Sequence, residues 1–216
     1  KVEFSVRQIK NIIKKANACM VWGGALGLAP ADDKIIQVER LLSLDPEAQL
    51  IASILSKKVA AGATHVVLDI PYGKSAKFSK DEAKELGKKF SYLALKLGIK
   101  LKTYISNGSE PIGNGIGPIL EMKDVISVLS RQKNRPLDLE KKSIEIAALL
   151  LELTKKASPN NGKKKAMQIL NSGVAYRKFN EIITIQNNSP FKIEKQLAVG
   201  KYRHDIFPLS QNGQES

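Results

Sequence analysis

Apolar residues return at helical intervals in the first stretch of the chain: Val6, Ile9, Ile12, Ile13 and Ala16 lie on one face of a 3.6-residue period. Ser5 and Gln8 form a capping box ahead of them, so a helix is predicted from about Val6 to Asn17. The apolar run from Cys19 to Trp22 then reads as a short buried strand, broken by Gly23 and Gly24. A polar cluster, Pro30 to Asp33, precedes a second helical pattern through Ile35, Ile36 and Val38. Asp45 and Pro46 supply a cap and first-turn pair for a helix over Glu47 to Ala61, stopped by Gly62.

Thr64 to Ile70 is a compact β-branched run ended by Pro71, which suits a buried strand. Ser79 and Glu82 form a second capping box, and Ala83, Leu86, Phe90, Leu93, Ala94 and Leu97 follow at helical spacing up to Gly98. Ile99 to Ile105 reads as another strand. Strands joined through a helix pair in parallel, so the predicted fold is α/β, with a mixed or parallel sheet flanked by helices. Asn107 to Pro118 is a glycine- and proline-rich loop placed after a strand, where open sheets hold ligands. Helices are predicted over Ile119 to Leu129, Asp138 to Lys155, Gly162 to Asn171 and Ala175 to Ile185, and the remaining tail alternates weakly. There is no internal repeat.

Composition narrows the function classes. Lysine and arginine total 35 against 21 acidic residues, a formal charge of +14, which attracts anionic ligands without saying which. Most lysines fall on polar helix faces, and only Lys163, Lys164 and Lys165 form a tight run. A nucleic-acid module would need stacking aromatics or a basic face; aromatics are only 6% and no such motif occurs. The single cysteine, Cys19, rules out an intrachain disulfide and is read as an inert core thiol. No apolar stretch reaches membrane-spanning length and no signal peptide opens the chain, so a cytoplasmic location is expected. His65 and His204 have no ligand-type neighbours in sequence, and Trp22, Phe90 and Tyr92 are expected to pack.

Five segments, taken in order, resemble the thymidine and pyrimidine-nucleoside phosphorylases, most closely the branch with the archaeal-type AMP phosphorylases. They are Val21 to Leu26 continuing through Leu28 to Asp33, Leu44 to Pro46, Leu50 to Lys58, Val67 to Pro71, and Gly117 to Glu121. The resemblance implies a pentosyltransferase: phosphate, the co-substrate, attacks the sugar anomeric carbon through an oxocarbenium-like transition state while the base departs. It implies an α/β domain (residues 1–30 and 62–190), a segment of a separate helical domain (31–61), and entry to a further C-terminal domain (191–216). It also implies a homodimer for the full-length protein. Lys1 and the polar tail are read as cut ends, the family's phosphate loop being expected ahead of Lys1.

The resemblance assigns Ser53 and Lys57 to base recognition. Four residues apart on a helix, they project from one face, a hydroxyl and an ammonium suited to charge building up on a departing ring. Relatives using thymidine place an arginine upstream; here Val38 and Glu39 occupy the ungapped position and Arg40 stands close by. Thymidine or a pyrimidine nucleoside is the first expectation for the substrate. A nucleoside monophosphate such as AMP is the alternative, and a basic nucleic-acid-binding module or a catalytically silent relative are others. The loop from Ile112 to Gly117 resembles the family's monovalent-cation loop, which implies ligands at Ile112, Gly115 and Asp124, completed from outside this chain. Read without the family, its glycines allow positive φ and Asp124 is a first-turn helix acid.

Overall fold

A computed structural model of the chain describes residues 2–23, 27–42, 44, 46–188, 200, 202 and 204. Helices α1 (Val6–Ala16), α2 (Pro30–Leu42) and α3 (Glu47–Ala60) lead into strand β1 (His65–Tyr72), helix α4 (Lys80–Lys96) and strand β2 (Lys100–Asn107). Helices α5 (Pro118–Leu129), α6 (Leu137–Leu153), α7 (Gly162–Asn171) and α8 (Val174–Asn187) follow. The architecture is the expected α/β one: β1 and β2 pair in parallel, from His65 opposite Lys100 to Tyr72 opposite Asn107. Both capping boxes form, Ser5 with Gln8 and Ser79 with Glu82.

The two faces of the sheet differ in chemistry, as alternation along a strand requires. Val66 and Ile70 enter a core with Ile51 and Leu55 of α3 and Leu86 and Phe90 of α4. The close approach of α4 relies on Gly87, whose absent Cβ would lie 3.3 Å from Thr103 Cγ2. On the other face Ser106 Oγ donates to Asp69 at 2.6 Å, Lys142 of α6 pairs with Asp69 at 2.6 Å, and the Tyr104 hydroxyl donates to Glu145. That hydrogen bond, with burial and the charges of Glu145 and Asp69, pushes the Tyr104 phenol up to about 12.

The C-terminal helices hold a second core around Val128, Ile144, Ala166 and Leu170. Between α5 and α6, Arg131 and Arg135 both pair with the buried carboxylate of Glu140. Helices α6 and α7 meet where a Cβ on Gly162 would fall 2.4 Å from the Ala148 carbonyl oxygen.

Several sequence expectations are corrected. Cys19 to Trp22 is not a strand; the segment has no ladder, and the Gln186 side chain of α8 substitutes for one, bonding both the N–H and the carbonyl of Met20. Lacking a covering sheet, Trp22 is 58% exposed and Cys19 is half-buried rather than core. Tyr92 is likewise exposed, on the solvent side of α4 beside Lys96, whereas Phe90 packs as expected. Helix α2 begins at Pro30, absorbing the polar cluster, because proline suits a first turn and Asp32 and Asp33 meet the positive end of the helix. Pro46 is the extended N-cap of α3, while the expected cap Asp45 lies outside the described residues, as do Gly24 and most of 191–216. Strand β1 runs through Pro71 to Tyr72, which a sheet of two edge strands permits. No described helix is long and apolar enough to cross a membrane.

Candidate active site

Gln49, Ser53 and Lys57 follow one another at four-residue intervals along α3 and so share a face. Opposite them, the first turn of α2 presents Asp32, which is 6% exposed. Gln49 Nε2 donates to Asp32 Oδ1 at 3.1 Å, and Ser53 Oγ donates to Oδ2 at 2.9 Å. Lys57 Nζ pairs with Oδ2 at 2.7 Å and lies 3.4 Å from Ser53 Oγ. Burial alone would push the Asp32 carboxyl up; the hydrogen bonds from Lys57 and Ser53, the Lys57 charge and the bond from Gln49 outweigh it and hold Asp32 below the usual carboxylate range. Asp32 is therefore an anion at neutral pH, and it sets the direction of the hydroxyl and ammonium expected to act on a base.

Sequence reasoning paired Ser53 with Lys57 and missed Asp32 as their common partner. The spacing along α3 gives the shared face but not the helix packed against it, and Asp33 lies in the same first turn of α2 without joining the cluster.

Beside this cluster, α2 and α3 enclose a cleft of about 430 Å³. Arg40 and Ser53 both line it, with Glu39, Gln49 and the apolar side chains of Ile36, Leu44 and Leu50. The structure thus brings Arg40 to the cleft that Ser53 reaches, while Val38 is exposed and does not line it.

The glycine-rich loop is organised by carboxylates. Asp124 Oδ2 accepts from the backbone N–H groups of Asn114 and Gly115, both at 2.7 Å, and Gly113 N–H donates to Asp138 Oδ2 at 2.9 Å. Gly113 has φ +83°, and a Cβ there would meet Asp124 Oδ2 at 2.8 Å, so the loop can close on its acid only as glycine. Gly115 and Asp124 are brought together; Ile112 lies just before the clamp with a partly exposed side chain. Asp124 sits well inside α5 rather than in its first turn, and its role in the fold is to hold the loop. One carboxylate oxygen with backbone carbonyls is the oxygen-donor type that hard cations take. No cluster of three or more histidine, cysteine or acidic groups occurs among the described residues. His65 Nδ1 lies 2.9 Å from Thr64 Oγ1, and His204 is exposed.

No protein-family model matches the chain. Compared with curated proteins, it is 44% identical over 206 residues to an AMP phosphorylase of Methanococcus maripaludis, a match covering 95% of this chain and 41% of that protein. It is 46% identical over 192 residues to a "Putative thymidine phosphorylase" of Albidiferax ferrireducens, covering 88% of this chain and 37% of that protein. An AMP phosphorylase of Natronomonas pharaonis is 43% identical over 190 residues, covering 88% and 38% respectively. The α/β fold and this similarity along nearly the whole chain define the class, a phosphorylase segment. The chain matches a fragment of the family of these AMP phosphorylases and putative thymidine phosphorylases, and it spans about two fifths of their length.

Proposed function

We propose that the protein containing this chain is a phosphorylase that cleaves the glycosidic bond of a nucleoside monophosphate, AMP foremost, and that α2 and α3 supply the side of the cleft that binds the base. A phosphate oxygen forms a bond to the sugar anomeric carbon, the carbon–nitrogen bond breaks, and the base leaves with that electron pair and takes up a proton. The products are the free base and a sugar bisphosphate. The carrying observation is the Asp32 cluster: a buried anion that orients Ser53 and Lys57 beside a cleft lined by Arg40. Lys57 has three N–H bonds, and the Asp32 contact leaves donors for a ring atom gaining negative charge as the base departs.

This order of substrates reverses the one drawn from sequence, which put thymidine and pyrimidine nucleosides first. Relatives named AMP phosphorylase match over nearly all of this chain, and an anionic substrate suits a protein of charge +14. Residues 31–61 serve as the base-side helical segment against an α/β body of 1–30 and 62–190. A monovalent cation at the carbonyls of Ile112 and Gly115 and the second oxygen of Asp124 would steady the glycine loop. The complete protein acts as a homodimer.

The test is base release by the complete gene product, with AMP, CMP, thymidine and uridine offered separately with and without phosphate. Phosphate-dependent release, greatest with AMP and lost in Lys57→Ala, is the expected result. No release from any of the four by a folded protein would overturn the reading; release from thymidine alone would restore the first expectation.

A further inference from the structure

We propose that Glu39 makes this cleft selective for bases that carry an exocyclic amine, an inference that rests on the phosphorylase reading for its chemistry but not for its geometry. Ile36, Leu44 and Leu50 give the cleft apolar surface, and its volume of about 430 Å³ accommodates a nucleobase. Selectivity then depends on which polar groups at its edge retain protons to give.

Ser53 has a single hydroxyl proton, and it is directed at Asp32 Oδ2. One N–H of the Gln49 amide is directed at Asp32 Oδ1. Asp32 thus holds both side chains through their protons, while Ser53 Oγ accepts from Lys57 Nζ at 3.4 Å and the Gln49 amide keeps a second N–H. Glu39 adds a carboxylate, which only accepts; it is half-buried and has no hydrogen-bond or ion-pair partner among the described residues. Glu39 therefore brings a free acceptor to the edge of the cleft, where the exposed Arg40 guanidinium and the second Gln49 N–H are donors.

An exocyclic amine brings two N–H groups to such an edge, and the adjacent ring nitrogen of adenine or cytosine accepts from a guanidinium. Hypoxanthine, uracil and thymine carry a carbonyl oxygen in place of the amine. Against a carboxylate that oxygen makes no hydrogen bond and is repelled, which is the arrangement by which a polar site rejects an analogue.

Two matched pairs isolate the amine from ring size: AMP against IMP, and CMP against UMP. With the complete gene product, the amino member of each pair is expected to have the higher kcat/KM by about tenfold or more. In Glu39→Gln, which donates as well as accepts, both ratios move toward one; Glu39→Asp, which keeps the charge, retains the direction of preference. Ratios unchanged in Glu39→Gln, or a wild-type preference for IMP and UMP, would overturn the proposal even in an active enzyme. Calorimetric titration with AMP and IMP in the absence of phosphate reads the same preference without turnover. A protein that binds AMP over IMP through Glu39 yet releases no base would sink the phosphorylase reading and leave this inference standing.

Discussion

Three polar groups, from Gln49, Ser53 and Lys57, converge at one buried atom group, the carboxylate of Asp32, and its value lies in what it does to its neighbours. An asparagine there keeps the shape and removes the charge, so Lys57 loses its ion-pair partner and Ser53 is no longer held through its proton. We expect Asp32→Asn to lower kcat/KM for base release by about 10- to 100-fold, the scale of losing a hydrogen bond to a charged group. A thermal melt of the same variant separates loss of positioning from loss of fold. At this scale the sequence was partly legible. The four-residue spacing of Ser53 and Lys57 guarantees a shared helix face whatever the tertiary structure. Asp32 was not legible as their partner, because no local pattern tells which helix packs opposite. Trp22 and Tyr92 misled for the related reason that a large aromatic side chain signals burial on average, while exposure is decided by the neighbour that is or is not there.

Among the elements, those whose ends are written in side chains were read most reliably. The two capping boxes predicted α1 and α4 because both reciprocal hydrogen bonds are local. The run from Cys19 to Trp22 has a strand's composition, but a strand needs a ladder partner, and here one glutamine side chain takes that place. Helices α6 and α7 meet so closely that the first residue of α7 has no room for a side chain: Gly162 N–H donates to Glu152 Oε1 at 2.8 Å while the backbone of Ala148 blocks the Cβ position. We expect Gly162→Ala to cost about 1–3 kcal/mol, as overpacking does, measured by denaturant unfolding. A variant as stable as the parent would show that the two helices part at little cost.

For the molecule as a whole, two buried carboxylates tie folding to pH. Burial would raise Glu140, but hydrogen bonds and charge from Arg131 and Arg135 hold it below its ordinary 4.5, as the Asp32 partners do below 3.8. Both values are depressed on folding, so the stabilisation is fully present above the ordinary values and is lost as pH falls through the lowered ones. Stability should therefore hold at neutral pH and decline below about pH 4.5. Glu140→Gln leaves two arginines facing a neutral group and should lose about 3 kcal/mol at neutral pH, with a shallower decline in acid, as followed by urea unfolding across pH. The clamp of Gln186 on Met20 has a further consequence, which lies in time rather than energy. Its partners are 166 residues apart, and α8 is the one extensive neighbour of α1 among the described elements. At a synthesis rate of about 5–20 residues per second, the first helix leaves the ribosome roughly ten to thirty seconds before its seat exists. Within this chain, the apolar stripe of Ile9, Ile12 and Ala16 gains its α8 neighbour only at the end of that interval.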